Sequence, residues 1–166
     1  MTTTVTAVLV SRDGGRWLTA ALDAVAAQTH RPDLLLAVDT GSTDGSADLL
    51  RERLAPGAVT DAPPDSGFGD AVTTALAAAP AAGTGHDDWV WLLHDDCAPA
   101  PDALEQLLAV AADRPHADVL GPKLREWPSL RRLLEVGLTI TGTGHRETGL
   151  EPVSYTHLTL PTTERV

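Results

Sequence analysis

Residues 34–45 read LLLAVDTGSTDG. Its first half is a short continuous apolar run, which is typical of a strand buried on both faces. Glycine, hydroxyl and carboxyl residues follow at once, a composition that favours a tight turn and the cap of a helix. Apolar residues then recur at helical spacing, at Ala47, Leu50 and Leu54. The stretch therefore predicts a strand, a loop and a helix in direct succession.

The same succession occurs four times along the chain. The predicted strands are residues 4–10, 34–38, 58–60 and 89–93, with the start of a fifth at 119–120. A helical pattern follows each of the first four, and the last one places Pro101 at the first helical position, with Asp102 and Glu105 in the first turn. Strands that alternate with helices predict an α/β fold with a mainly parallel sheet, covered by helices on both faces.

Polar side chains cluster directly after each of the four strands. The clusters are Ser11-Arg12-Asp13, residues 39–44, Gly67-Phe68-Gly69 and His94-Asp95-Asp96. In an open α/β sheet, the loops that follow parallel strands meet at the carboxyl edge, which is where such sheets bind ligands. We therefore expect one binding site at that edge.

Two of these clusters carry recognisable chemistry, and each has a simpler alternative. A carboxylate at a strand end, such as Asp39, can accept hydrogen bonds from a nucleobase or ribose, although a plain Asp-capped turn explains the same residues. The adjacent acids Asp95 and Asp96 follow a buried strand, where they are costly unless they bind a cation or find donors. Mg²⁺ or Mn²⁺ held together with substrate phosphates is one solution, and a solvated loop that caps the next helix is the other. An ordinary hydrogen-bonding role suits His94, and Cys97 is expected to be inert.

The composition narrows the class of protein. Hydrophobic residues make up 43% and charged residues 21% of the 166 residues, as in a globular domain that buries a core. The formal net charge of -11 argues against nucleic acid as a partner, because phosphate backbones require clustered Lys and Arg. One cysteine permits no internal disulfide, which favours the cytoplasm. Neither a signal peptide nor a membrane segment is predicted, so any membrane anchor of a parent protein is expected outside this chain.

Five segments of the chain, taken in order, resemble those of family 2 glycosyltransferases. They are VLVSRDGGRWLTAALDAVAAQT at 8–29, LLLAVDTGSTDGS at 34–46, SGFGDAVTTAL at 66–76, WLLHDDCAPAPDALEQLL at 91–108 and ADVLGPKL at 117–124. Each segment alone is a weak signal, whereas their order and spacing together are specific. The resemblance covers about residues 4–125 and is expected to continue to about residue 150.

The resemblance implies a GT-A-type, Rossmann-like fold of three α/β/α layers and a set of residues that bind a nucleotide sugar. In the family, the acid after the second strand binds the base or ribose, and the last acids of a DxD motif hold a divalent cation and the donor diphosphate. The implied nucleotide-sugar-binding residues are Ser11, Asp13, Asp39, Ser42, Asp44, Gly67, Asp70 and Asp95. The implied metal ligands are Asp96 and Asp95, and the implied cofactor is Mg²⁺ or Mn²⁺.

The chain departs from the family pattern at several positions. His94 stands at the first acid of the DxD motif, Thr40 replaces the usual Asn, and Asp70 stands where a basic residue is common. The family's general base lies in a later segment, so none is assigned here. We expect residues 1–150 to be a partial nucleotide-sugar-binding domain, cut short before its acceptor half. Residues 151–166 are expected to be a disordered tail, because they are Thr-rich, lack Ala, Gly and Asp, and resemble translated sequencing-adapter read-through.

The resemblance implies metal-assisted, inverting transfer of a sugar from a nucleotide-diphosphate sugar to an acceptor hydroxyl. The acceptor is expected to be a glycan or a lipid-linked molecule, as in cell-wall polysaccharide biosynthesis, and the chain alone to be weakly active or inactive. One alternative is a non-catalytic nucleotide-binding module. Another is an aspartic protease, since residues 39–42 read Asp-Thr-Gly-Ser, but a second such motif is absent and the helical patterns conflict with an all-β fold.

Overall fold

The computed structural model describes residues 3–78, 88–126, 129–136, 139–140 and 146–147. The chain divides into two compact units, one drawn from Met1–Ala27 and Arg31–Ala98 and the other from Gln28–His30 and Pro99–Val166. The elements of the first unit are β1 (Thr4–Ser11), α1 (Leu18–Ala26), β2 (Leu34–Asp39), α2 (Ser46–Arg53), β3 (Val59–Asp61), α3 (Phe68–Ala78) and β4 (Asp88–His94).

A four-stranded parallel sheet in the order β3-β2-β1-β4 forms the centre of the first unit. Ser11 pairs with Asp39 at the last position of β1 and β2, and Val10 pairs with His94 at the last position of β4. The carboxyl ends of these strands, and the polar residues that follow them, therefore share one edge of the sheet, as the sequence predicts.

Helices cover both faces of this sheet. The side chains of Ala7 and Leu9 point to the face covered by α1 and α2, where they pack with Leu18, Leu22 and Leu50. Neighbouring residues of β1 and β2 point to the opposite face and pack against α3 through Ala71 and Ala75. Both faces of the central strands are apolar for this reason, and the sequence shows continuous apolar runs rather than alternation.

The second unit contains α4 (Ala103–Asp113), β5 (Lys123–Arg125), β6 (Leu133–Val136), β7 (Thr139–Ile140) and β8 (Arg146–Glu147). Strands β5 and β6 pair antiparallel, as do β7 and β8. The side chain of Gln28 holds the start of α4, because its Oε1 accepts a hydrogen bond from Leu104 N at 3.0 Å and its Nε2 donates to Ala100 O at 2.6 Å. Gln28 thereby satisfies one of the free N–H groups at the start of the helix.

The predicted α/β fold with a mainly parallel sheet is confirmed, but two local predictions were wrong. Residues 119–120 form no strand, and Val119 is 87% exposed. Gly121 and Pro122 follow directly, and proline can donate no ladder hydrogen bond, so the apolar pair is too short to make a strand. Helix α4 begins at Ala103 rather than at Pro101. The predicted tail, residues 151–166, lies outside the described residues.

No described helix combines the length and the hydropathy that a bilayer crossing requires.

Candidate functional site

The loops after β1, β2, β3 and β4 are joined to one another by hydrogen bonds at the carboxyl edge of the sheet. The loop after β1 is central, since its residues bond to the other three loops. Asp39 is the last residue of β2 and Asp95 directly follows β4, so two strand spacings, or about 10 Å, separate their backbones. Both predicted acids therefore lie on one rim of one sheet.

Asp39 is the most unusual group at this edge, because its carboxylate is buried and only half paired. Only 3% of the residue is exposed. Its Oδ2 accepts hydrogen bonds from the backbone N–H groups of Gly41 at 3.0 Å and Ser42 at 2.9 Å. Its Oδ1 is buried and has no hydrogen-bond partner among the described residues. A buried acceptor left unpaired costs about 1–3 kcal/mol, so Asp39 Oδ1 is suited to a donor that arrives with a ligand.

Asp95 ties the loop after β4 to the central strand. Its Oδ2 accepts hydrogen bonds from the buried Ser11 hydroxyl and from the Arg12 backbone N–H, both at 2.9 Å. Gly14 makes this possible, because a Cβ on that residue would lie 2.2 Å from Asp95 Oδ2 and 2.8 Å from its Cβ. Asp95 Oδ1 has no hydrogen bond from a described residue and is the oxygen left for a ligand.

Asp13 joins the loop after β1 to the loop after β2. It lies in the left-handed region, with a φ of 49°, which is uncommon for a residue other than glycine. Its Oδ1 accepts hydrogen bonds from the N–H of Thr43 at 2.7 Å and from the hydroxyl of Thr43 at 3.2 Å. Its own N–H donates to Ser42 Oγ at 2.9 Å. Asp13 and Ser42 therefore brace the two loops that the sequence assigns to nucleotide binding.

Asp44 makes a second link between the same two loops. Its Oδ1 accepts from the Ser46 hydroxyl at 2.5 Å and N–H at 3.0 Å, and its Oδ2 accepts from Gly15 N at 2.8 Å. These hydrogen bonds, the one from the Ser46 hydroxyl above all, hold the pKa of the Asp44 carboxyl below its usual value of 3.8. Asp44 is thus an ionised brace at neutral pH.

The other predicted residues lie further from this network. Asp96 is exposed and makes no hydrogen bond or ion pair with a described residue, so its carboxylate is available. Gly67 and Asp70 lie at the start of α3, and no side-chain hydrogen bond within the described part of the chain joins them to Asp39 or Asp95. The His94 ring stacks on Phe68 with centroids 4.3 Å apart. Burial raises the pKa of the Cys97 thiol, in keeping with an inert residue.

A metal ion at this edge would have few protein ligands. Over the residues that the structure describes, no three His, Cys, Asp or Glu side chains come together as a metal site. The Asp96 carboxylate and Asp95 Oδ1 lie directly after β4 and accept no hydrogen bond from a described residue. This set fits Mg²⁺ or Mn²⁺ that takes one or two carboxylates and completes its shell with water and substrate phosphates.

The sequence patterns gave no individual role to three residues at this edge, Arg12, Gly14 and Pro64, although Arg12 belongs to the polar cluster after the first strand. The Gly14-Gly15 pair was a usable signal, since adjacent glycines after a strand often mark a close approach of another group. Nothing in the sequence indicates that the Arg12 side chain donates to the carbonyl of Pro64, because the two residues lie in different loops, 52 positions apart. The assignment of the predicted residues to nucleotide-sugar binding stays a prediction.

Comparison with known proteins identifies the family. The family model described as Glycosyl transferase family 2 matches residues 6–132, which is most of the chain. The chain belongs to glycosyl transferase family 2. The resemblance to family 2 glycosyltransferases is therefore confirmed. Its parallel sheet also excludes the all-β fold of an aspartic protease.

Two curated relatives of this family 2 chain come from Mycobacterium tuberculosis strains CDC 1551 / Oshkosh and ATCC 25618 / H37Rv. Both are described as N-acetylglucosaminyl-diphospho-decaprenol L-rhamnosyltransferase and are 30% identical over 143 residues, which cover 80% of this chain and 47% of the relative. The chain thus spans about half the length of these relatives. Glucosyl-3-phosphoglycerate synthase from Mycobacterium tuberculosis, solved with Mn²⁺, UDP and glucosyl-3-phosphoglycerate, has a TM-score of 0.50 at 22% identity, over 66% of this chain and 39% of that one. The likeness shows the shared GT-A fold.

Proposed function

We propose that the carboxyl edge of this sheet binds a nucleotide-diphosphate sugar and belongs to an enzyme that transfers the sugar to an acceptor hydroxyl. The observation that carries the proposal is the buried Asp39 Oδ1, which has no donor among the described residues. Around it, Asp13, Asp44 and the Oδ2 oxygen of Asp95 accept hydrogen bonds that brace the neighbouring loops. Loops braced in this way around a buried, unpaired acceptor suit a ligand that brings a donor to a fixed position.

Asp39 would receive the nucleoside end of the donor. Its Oδ2 is fully used by two backbone N–H groups, which fix the carboxylate plane and aim Oδ1. An imide N–H of a pyrimidine base, a ring N–H of guanine or a ribose hydroxyl each supplies the missing donor. A ligand that lacks a donor there would leave the carboxylate buried and unpaired, and would bind worse.

Asp96 and Asp95 Oδ1 would hold the divalent cation at the other end of the site. Bound there, Mg²⁺ or Mn²⁺ would offset the charge of the donor diphosphate, which an acidic protein needs. The presence of Mn²⁺ and UDP together in the structure of glucosyl-3-phosphoglycerate synthase supports this reading for the shared fold.

The reaction we propose is a direct displacement with inversion. The acceptor hydroxyl attacks the anomeric carbon as the nucleoside diphosphate leaves from the opposite face, through a transition state that resembles an oxocarbenium ion. The acceptor would be a glycan or a lipid-linked molecule, as the name of the mycobacterial rhamnosyltransferase suggests for that relative. The donor would be drawn from the cytoplasm. No described residue is assigned as the general base, whose loss costs roughly 10²–10⁴-fold in rate.

We propose further that this chain alone binds the donor but transfers sugar poorly. It spans 47% of the curated relatives, and the acidic side chains at the rim are mostly engaged in bracing it. The same observations support a second candidate, a module that binds a nucleotide without catalysis. Sugar transfer by the protein extended by its genomic continuation, and not by this chain, would favour the enzyme.

Calorimetric titration with UDP, GDP and TDP, each with and without Mn²⁺, tests the proposal. We expect one of the three to bind, and to bind more tightly when Mn²⁺ is present. Failure of all three to bind, with or without the metal, would overturn the proposal.

A further inference from the structure

Arg12 crosses the end of the strand that carries Asp39. It follows β1, and its backbone N–H donates to Asp95 Oδ2 at 2.9 Å. Its guanidinium donates from Nη1 to the carbonyl of Pro64, in the loop after β3. Because β2 lies between β1 and β3 in the sheet, a side chain that joins those two loops spans the carboxyl end of β2.

Pro64 lies directly on the Asp39 loop. A Cβ on Gly41 would be 2.6 Å from Pro64 Cγ, so the ring of the proline packs on the backbone of Gly41. The N–H of that same Gly41 donates to Asp39 Oδ2. Arg12 and Pro64 thus form a bridge beside the buried carboxylate whose Oδ1 has no partner among the described residues.

Arg12 is also the cation best placed to meet a ligand at this edge. The loops after the four strands contain two arginines, Arg12 and Arg16. The guanidinium of Arg16 instead lies over the Trp17 ring in a cation–π contact, with its carbon 4.2 Å from the ring centroid. The exposed Arg12 uses one of the five N–H donors of its guanidinium on Pro64, and the face of that planar group can stack on an aromatic ring.

We propose that Arg12 binds the nucleobase, with its guanidinium stacked on the ring whose N–H is accepted by Asp39. This inference rests on the proposed function and adds to it a wall of the base pocket, formed by Arg12 and supported by Pro64. It places Arg12 at the nucleoside end of the donor and not at the diphosphate. Arg12 therefore contributes equally to the binding of a nucleoside and of its diphosphate.

The test compares uridine with UDP, or the corresponding pair for whichever diphosphate the wild-type chain binds, in Arg12→Gln and Arg12→Lys. Loss of the stacked guanidinium should weaken nucleoside and diphosphate by the same factor, about three- to tenfold. Arg12→Lys should not restore affinity, because an ammonium keeps the charge but has no planar face. Arg16→Gln is the matched control, and it should leave both affinities within twofold of the wild type.

The outcomes separate this inference from the proposed function. A diphosphate weakened while the nucleoside is unchanged would mean that Arg12 contacts phosphate, and affinities unchanged for both would mean that it only bonds to Pro64; either result overturns the inference and leaves the proposed function standing. Rescue by Arg12→Lys would also count against stacking. A wild-type chain that binds no nucleoside and no diphosphate would overturn both. Melting temperatures of all variants show whether each remains folded.

Discussion

The hydroxyl of Ser11 lies 2.9 Å from Oδ2 of Asp95, although the two residues are 84 positions apart in the chain. Ser11 is wholly buried at the end of β1, so this bond attaches Asp95 to the buried part of the sheet. It also settles which oxygen of the carboxylate is used within the protein. Asp95, which the sequence assigns to nucleotide-sugar binding and to metal binding, therefore also has a structural role.

Gly14→Ala should destabilise the fold through Asp95. An added Cβ would meet Asp95 Oδ2, Cγ and Cβ at 2.2, 2.6 and 2.8 Å, so the whole side chain must move and its bonds to Ser11 and Arg12 must break. We expect a loss of about 1–3 kcal/mol in the free energy of unfolding, measured by urea denaturation.

Gly69→Ala is the control for that experiment. It lies in α3 with nothing within 4 Å of an added Cβ, and alanine favours a helix. Its stability should be unchanged or raised by up to about 1 kcal/mol. Equal losses of unfolding free energy in Gly14→Ala and Gly69→Ala would show that the contact between Gly14 and Asp95 does not determine the cost.

Asp44 should stabilise the fold at neutral pH and lose that contribution in acid. Its pKa in the folded protein is lowered from 3.8, chiefly by the Ser46 hydroxyl, so folding favours the ionised form. The contribution is therefore complete above pH 3.8 and is lost as the pH falls through the lower pKa of the folded state.

Paired unfolding measurements on the wild type and Asp44→Asn between pH 7 and acid test this sign. The wild type should be the more stable at pH 7, and the difference should shrink as the pH falls below 3.8. Ser46→Ala removes the main hydrogen bond that lowers the Asp44 pKa, so its stability should fall less between pH 7 and acid than that of the wild type. A difference that stays constant, or grows in acid, would show that the carboxylate is not stabilised by these donors.

The strands and helices of the first unit follow from local pattern. A short continuous apolar run between turn-forming residues, such as residues 34–38, indicates a buried strand. The helical spacing of Leu18, Leu22 and Val25 indicates the buried face of α1. The pattern fails at residues 119–120, where two apolar residues before Gly121-Pro122 are too few to define a strand. Pairing of β5 with β6 joins partners between 8 and 13 positions apart, Arg125 with Leu133 and Lys123 with Val136 at the extremes, and has no strong local signal.

The location of the candidate site can be predicted from the sequence, but its hydrogen bonds cannot. Acids that follow parallel strands must share an edge, so Asp39 and Asp95 could be placed together from sequence alone. Which hydrogen bonds they make depends on side chains that are distant in sequence, such as the pairing of Asp13 with Thr43. Burial of Asp39 with one unpaired oxygen is a property of the packed loops and leaves no trace in the sequence.

The core between the sheet and helices α1 and α2 should be sensitive to Leu50→Ala. Leu50 is fully buried, and its truncation leaves a cavity that costs about 2–5 kcal/mol. Leu92→Ala provides a matched comparison, because Leu92 is 50% exposed on β4 and its truncation should cost under about 1 kcal/mol. Similar losses in the two leucine variants, measured by urea denaturation, would contradict the assignment of the core.

Asp96→Asn should remove the effect of Mn²⁺ on the affinity for the nucleoside diphosphate and leave the affinity for the nucleoside unchanged. The carboxylate is exposed and bonds to no described residue, so the fold should tolerate the change within about 0.5 kcal/mol. Titrations with and without Mn²⁺ check this. An Asp96→Asn variant whose diphosphate binding still strengthens with Mn²⁺ would place the metal elsewhere.

The affinity of Asp39→Asn for the nucleoside diphosphate that the wild type binds tests whether Asp39 Oδ1 accepts a hydrogen bond from the ligand. The asparagine carbonyl can still accept from Gly41 and Ser42, which turns its NH₂ group to the position of Oδ1 and replaces the open acceptor with a donor. We predict a folded variant whose affinity falls by at least about tenfold. A folded Asp39→Asn chain that binds as tightly as the wild type would contradict the account.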